Sequence, residues 1–308
     1  MLATAESTRR FSCFGALGVL YAGGADPAAE RALTAAQFRL LACHRRLSRF
    51  RPDSELCRLN ADPRERVPAS SLMRRFVRGA IAAAELSGGL VDATLVDEIE
   101  RAGYADSYEP ARALPLEEAS AADRRPARPR RKTRWRTVEV DDAAGLVVRP
   151  PGVRFDSGGI AKGLAADLVA PLFENQSTFA IDCAGDLRIG GVAGSPRSVA
   201  VDDPFGRGTL HGFRIVEGGV ATSGIGRRSW RGADGAYAHH LLDPSTGAPA
   251  HTGVVQATAL APTALEAEVR AKAALLAGPE AGAKWLRHGG ALVLDDGSFE
   301  LVEGAMAE

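Results

Sequence analysis

An α+β fold, with mixed or antiparallel sheets and flanking helices, is predicted by three features of the 308-residue chain. Short strand patterns crowd the second half, helix patterns are few and local, and the two do not alternate as regular βαβ units, which would signal a parallel sheet. No internal repeat is visible. The chain reads as one domain over residues 1–308, carrying an insertion at 105–134.

Residues 10–22 read as a strand broken at Gly15. Residues 27–47, rich in Ala, Leu and Arg without an internal Gly or Pro, read as a helix. Ser48 to Asn60 is a polar segment, and residues 73–87 form a second helix stopped by Gly88-Gly89. From 105 to 134 Pro, Arg, Ala and acidic residues dominate without apolar periodicity, the pattern of a long flexible loop. Val138–Val140 and Leu146–Val148 form a hairpin around Ala144-Gly145. A turn at Asp156–Gly159 enters a helix running to about Phe173. Short strands follow near 179–183, 187–189, 198–201, 210–216, 236–242 and 253–259. Helices at 264–277 and 280–288 and a closing pair of strands near 291–302 complete the chain.

Composition narrows the function. Hydrophobic residues at 45% suffice for a large core, and a formal net charge of zero supplies no global field toward nucleic acid or a membrane. The basic run from Arg124 to Arg136 has almost no aromatic residues and reads as a solvated loop. Cys13, Cys43, Cys57 and Cys183 lack CxxC spacing, which points to a reducing compartment without structural zinc. No apolar run reaches membrane-spanning length. Arg9-Arg10 before an apolar stretch has the form of a twin-Arg export signal, but reads better as a first strand, so residence in the cytoplasm is expected.

Four segments have the make-up of a site. In Phe155-Asp156-Ser157-Gly158-Gly159-Ile160-Ala161-Lys162-Gly163 a strand ends, two glycines turn the chain and a helix starts with a lysine in its first turn. Backbone N–H groups there suit an anion, and a tight packing turn is the competing reading. Lysine is scarce in this Arg-rich chain, found only at 132, 162, 272 and 284, so each one invites inspection. Thr222-Ser223-Gly224 combines small hydroxyl residues with a glycine that lets a ligand approach, and is also a common turn. His239-His240, ahead of Asp243-Pro244, places at most one imidazole toward a given pocket, because neighbours in a strand face opposite ways. In the helix at 264–277, started by the capping-box sequence Thr263-Ala264-Leu265-Glu266, Lys272 falls on the apolar face of Leu265, Val269 and Leu276. Glu268, one turn earlier, is placed to pair with it, so Lys272 is either a helical salt-bridge partner or a cation set into a site.

Taken in order, these segments resemble the landmarks of the ApbE family, the FAD:protein FMN transferases. Ser54-Glu55-Leu56 through Leu59-Asn60 is similar to its Ser-Glu-Leu…Leu-Asn motif, and Gly89 to Thr94 to its Gly-Ala-Phe-Asp-Pro-Thr. Asp156 to Asp167 resembles its Gly-Gly-x-Ala-Lys-Gly helix start, and Asp182 to Asp186 its Asn-x-Gly-Gly-Asp turn. Thr222-Ser223-Gly224 and His240-Leu241-Leu242-Asp243-Pro244 resemble two more. The resemblance spans roughly residues 11–295.

The resemblance implies a cleft that binds FAD, with a divalent metal, usually magnesium, on the pyrophosphate. A threonine hydroxyl of a target flavoprotein attacks the FMN phosphorus and AMP leaves; some members hydrolyse FAD instead. Phe14, Asn60, Asp92, Asp156, Lys162, Thr222 and Ser223 are then expected to contact FAD, and His240 to move a proton. The implied metal ligands are the carbonyl of Ala161 and two helix positions occupied here by Glu268 and Lys272. The family has Asp and Thr at those two positions, so an ammonium stands where a metal-binding hydroxyl is expected. Ile225-Gly226 replaces a common Asp-Tyr, and Phe14 takes the place of a Met. FMN transfer to a protein threonine is therefore the leading expectation; metal-independent or non-catalytic FAD binding and FAD pyrophosphatase activity are the alternatives.

Overall fold

The computed structural model of the chain describes residues 6–107, 113–121, 124–232 and 234–306. Its centre is an eight-stranded sheet formed by β1 (Glu6–Cys13), β2 (Ala16–Gly23), β3 (Phe179–Cys183), β4 (Asp186–Gly190), β5 (Gly218–Gly224), β6 (Val254–Ala261), β7 (Gly290–Leu294) and β8 (Phe299–Val302). Strand order follows chain order, and every neighbouring pair is antiparallel. The sheet is thus a meander whose connections carry the helices. Residues on its strands alternate between two cores, as the period of two requires. Ala180, Ile189, Val220 and Leu260 pack against Val201 and Phe213 of a hairpin, Arg197–Asp202 with Thr209–Ile215. Ile181 faces the helical side.

That side holds α1 (Pro27–Leu47), α5 (Ala161–Val169) and α6 (Ala264–Ala277); α2 (Glu55–Ala61), α3 (Ser71–Leu86) and α4 (Val96–Arg101) lie in the long β2–β3 connection. Asp26 starts α1, its Oδ1 accepting from the N–H groups of Ala28 and Ala29 at 2.8 Å. At α6 Thr263 Oγ1 accepts from Glu266 N at 3.1 Å, and Asp167 of α5 accepts from Ala264 and Leu265 at 2.9 Å each. The reciprocal half of the capping box is absent, because Glu266 turns to Arg270 instead. α6 is buried nearly all round, between β5 and β6 on one side and α5 on the other. Gly163 permits this: a Cβ there would stand 2.5 Å from the Ala264 carbonyl oxygen.

Several expectations need correction. Residues 10–22 are a hairpin rather than one strand, turned at Phe14 and Gly15, both at positive φ (51° and 77°), as a two-residue turn of this twist demands. The polar segment 48–60 contains α2, capped by Ser54 on Cys57 N. Thr222-Ser223-Gly224, which could also be read as a turn, ends the central strand β5. The strand expected over 236–242 divides into Tyr237–His239 and Leu242–Asp243, and the helix at 280–288 is only Pro279–Gly282 followed by one 3₁₀ turn.

Within 105–134, residues 108–112 and 122–123 lie outside the described residues. The described remainder is not a free loop: Leu116 and Ala127 are buried in the core, Ala127 N donates to Leu276 O at 2.8 Å, and Arg128 N to Asp243 Oδ1 at 3.0 Å. Among the described residues no helix is long and apolar enough to cross a membrane.

Candidate functional site

A cavity of about 1650 Å³ opens where the Phe14–Gly15 turn, the Asp156–Gly159 turn, the end of β5 and the start of α5 converge. Its size exceeds the roughly 300–1000 Å³ of common small-molecule sites and suits a long ligand.

Beneath the glycine turn, four ionisable side chains alternate in sign. Lys162 Nζ lies 2.8 Å from Asp186 Oδ2, and Lys272 Nζ lies 2.9 Å from Glu268 Oε1. Glu268 Oε2 accepts from Gly163 N at 2.9 Å. Asp186 and Glu268 are 1% and 0% exposed. Burial pushes the Asp186 carboxyl up, against the pull of Lys162, to about 6. Burial would lift Glu268 as well, but Lys272, Lys162 and the Gly163 N–H outweigh it and hold that carboxyl below its usual range. Lys162 remains charged: burial works against its ammonium, and Asp186 and Glu268 overcome it.

The walls carry the polar groups. Asp92 Oδ1 accepts from Thr94 N and Oγ1 at 2.8 and 2.6 Å, whereas its buried Oδ2 has no partner among the described residues. Burial raises this carboxyl despite the Thr94 hydrogen bonds. An unpaired buried oxygen on a cavity wall is costly unless a ligand donor meets it. Asp156 accepts from Arg49 Nε at 3.0 Å and folds back onto Gly158 N at 3.2 Å. The turn and the first turn of α5 therefore do not offer all their N–H groups to an anion, as the sequence suggested they might: Asp156 takes that of Gly158, Ser157 O those of Ile160 and Ala161, and Glu268 that of Gly163.

Thr222 Oγ1 pairs with Thr258 Oγ1 at 2.9 Å across β5 and β6, and Ser223 is buried beside it. Phe14 stands edge-on to His44, whose Nδ1 accepts the Phe14 N–H at 3.1 Å. Of the tandem histidines only His240 lines the cavity; His239 is fully buried, with Nε2 on Ala250 O at 2.9 Å. Among the described residues His240 Nδ1 meets no hydrogen-bond partner. Burial first, then Arg228, His239 and Lys272, hold this imidazole well below its ordinary value, so it is neutral.

Phe14, Asp92, Asp156, Ala161, Lys162, Thr222, Ser223, His240 and Lys272 are thus brought to one cavity. Two expected residues are not on its wall. Asn60 spends its amide on the backbone of Phe155, Nδ2 to O and Oδ1 from N, both 2.8 Å, and so shapes the turn before Asp156. Glu268 lies behind Lys272. Sequence reasoning missed Asp186 as the partner of Lys162, and Arg49, whose side chain reaches Asp156 and Tyr104 O. Asp186 closes the Asp182–Asp186 motif, but its pairing with Lys162, like the reach of Arg49, joins elements distant in the chain and has no local signal.

These features define a protein with one large cavity set over a buried, charge-alternating floor at the end of an antiparallel meander. The chain belongs to the ApbE family, whose sequence model matches residues 17–294. It is 30% identical over 282 residues to an FAD:protein FMN transferase of Klebsiella pneumoniae, covering 88% of this chain and 78% of that one. To the Escherichia coli protein of the same name it is 27% identical, covering 80% and 71%. Among solved structures it superposes on the ApbE protein of Thermotoga maritima with a TM-score of 0.79 at 28% identity, covering 97% of both chains. With the apo flavinyl transferase ApbE of Pseudomonas stutzeri, at 23% identity, it shares the fold with a TM-score of 0.75, covering 97% and 95%.

Proposed function

We propose that this protein binds FAD in the cavity and transfers its FMN half to a threonine hydroxyl of an acceptor flavoprotein. The observation that carries the reading is the cluster of cations, Lys162, Lys272 and Arg228, on the wall of a cavity large enough for FAD, with a neutral imidazole among them. A bond forms between the acceptor oxygen and the FMN phosphorus, the bridging P–O bond breaks, and AMP leaves. His240 takes the hydroxyl proton. The approaching diphosphate offsets the nearby Arg228 and Lys272 charges and makes the imidazole a better base. Lysine and arginine stabilise charge developing on the phosphoryl oxygens. The orphan Asp92 Oδ2 supplies a fixed acceptor for an N–H of the ligand.

The magnesium that the family resemblance implies does not fit these residues. At the expected position one donor is an ammonium, and both Glu268 oxygens are already taken.

Co-expression with a flavoprotein acceptor, read by mass spectrometry, tests the reading: an added FMN on a threonine supports it, and an unmodified acceptor with no AMP released overturns it. The altered donor set favours a second reading, FAD binding without transfer, in which FAD is retained and no AMP appears. AMP released without an acceptor would identify a pyrophosphatase. Arg9 and Arg10 lie within β1, which supports reading them as strand and the protein as cytoplasmic; mature protein starting near Gly23 would reverse that.

A further inference from the structure

We propose that Lys272 is a built-in replacement for the divalent ion, so that this chain binds the diphosphate of its ligand without metal. This rests on the FAD reading above and goes beyond it. Lys272 projects from the middle of α6, a helix wedged between sheet and α5, so its position is set by packing. Its side chain passes under the turn before α5, with Cε 3.9 Å from where a Gly159 Cβ would stand, and lines the cavity. An ammonium has three N–H donors. One is spent on Glu268 Oε1 at 2.9 Å, which leaves two for phosphate oxygens.

Glu268 is fixed from its other side by the Gly163 N–H. It acts as a support that holds the ammonium at one point, as a ligand carboxylate would hold a metal. A divalent ion entering here would have to displace that ammonium from Glu268 while standing beside its positive charge. The floor is neutral as built, with Asp186 balancing Lys162 and Glu268 balancing Lys272. The arginines at 227 and 228, also on the cavity, provide the excess charge that a diphosphate needs. The arrangement is complete without magnesium, which would bring two charges and an octahedral geometry that these donors cannot meet.

The test is titration of the full-length protein with FAD, followed by flavin fluorescence, in EDTA and in excess magnesium, with Mn²⁺ binding followed separately by electron paramagnetic resonance. The wild type is expected to bind FAD equally in both media and to retain no Mn²⁺. Lys272→Met alone leaves Glu268 buried and unpaired and risks unfolding, so the informative variant is Glu268→Gln with Lys272→Met, checked for folding by circular dichroism. It should lose at least about tenfold in FAD affinity in either medium, the worth of a charged hydrogen bond. Glu268→Asp with Lys272→Thr should regain affinity only with magnesium.

A magnesium requirement in the wild type, stoichiometric Mn²⁺ on it, or undiminished FAD affinity in the folded Gln/Met variant overturns the inference while leaving the flavin reading intact. Failure to bind FAD in any medium overturns both.

Discussion

Beneath the glycine turn, Asp186, Lys162, Glu268 and Lys272 carry charges of alternating sign, each on a regular element and each largely buried. Beside α4 the chain is equally rich in charge but differently built. Arg154, 33% exposed, pairs with Asp97 and also with Glu100 at 2.6 Å, and Arg134 reaches Asp97 at 3.3 Å. On the floor each carboxylate has one ammonium and each position is dictated by packing. In the half-exposed part of this cluster, the rim, the Arg154 fork shares two carboxylates that are 42% and 32% exposed, and water can replace either of them. Desolvated pairs are costly to assemble and costlier to break singly, whereas exposed pairs contribute little. The floor therefore has the character of a site prepared for a ligand, and the rim that of a surface that fixes a segment in place.

The sharpest way to break this contrast is Glu268→Ala. It strands Lys272, and deprives Lys162 of a second counter-charge, in a buried setting. A loss of about 3–5 kcal/mol in denaturant-measured stability is expected. A loss below that of a surface substitution would mean that water reaches the floor and that the contrast is false.

Next is Gly163→Ala. In an exposed helix this change would help by about 1 kcal/mol. Here the new methyl would meet the Ala264 carbonyl oxygen at 2.5 Å and Leu265 N at 2.7 Å, all backbone, so α5 and α6 must separate. A net cost of about 1–3 kcal/mol is expected. FAD affinity should fall with it, because the Gly163 N–H holds Glu268. A gain in stability would show that the helices have room to spare.

How far this could be read from sequence follows the same division. α1 was legible because residues 27–47 are rich in Ala, Leu and Arg without an internal Gly or Pro, and α6 because Thr263 and Gly278 announce its ends. The Glu268–Lys272 pair was legible because i, i+4 spacing is local. β5 was not, since Gly218 to Gly224 offers small residues buried against α6 rather than the β-branched alternation of a half-exposed strand, and Gly219 is small because the Thr263 carbonyl lies against it. α2 was missed because seven residues are too few for periodicity to register, although Ser54 caps them. The hairpin at Phe14 was hidden because a non-glycine residue takes the first left-handed position. The motifs located the cavity wall well, but they assigned Asn60 to the ligand when its amide holds the backbone of Phe155, a long-range partnership that no local pattern encodes.

pH separates the two regions by sign. Burial raises Asp186 to about 6 from an ordinary 3.8, so its contribution to stability is fully present below about 3.8 and is lost as pH rises through 6. Asp97 moves the other way: the Arg154 hydrogen bond lowers it, so its contribution is present above 3.8 and is lost as pH falls through its depressed value. Stability of the wild type relative to Asp186→Asn should decline between pH 4 and pH 6, by at most about 1.4 kcal/mol per unit. Relative to Asp97→Asn it should instead decline as pH falls below 4. Parallel profiles for the two variants would remove the distinction between floor and rim.

The smallest effect is expected at the rim itself. Arg154 contacts two carboxylates, and by count of ion pairs it looks more important than Lys272, which contacts one. Count is a poor guide where water competes. Asp97 and Glu100 are 42% and 32% exposed, so both recover hydration when the guanidinium is removed. Arg154→Met, which keeps the aliphatic stem, should cost about 0–1 kcal/mol, and the loss should shrink as salt is raised toward 1 M, where the Debye length is about 3 Å. FAD affinity should stay unchanged, since Arg154 is not on the cavity wall. A cost as large as that of Glu268→Ala, or one that persists in high salt, would mean that the rim pairs are as dry as the floor.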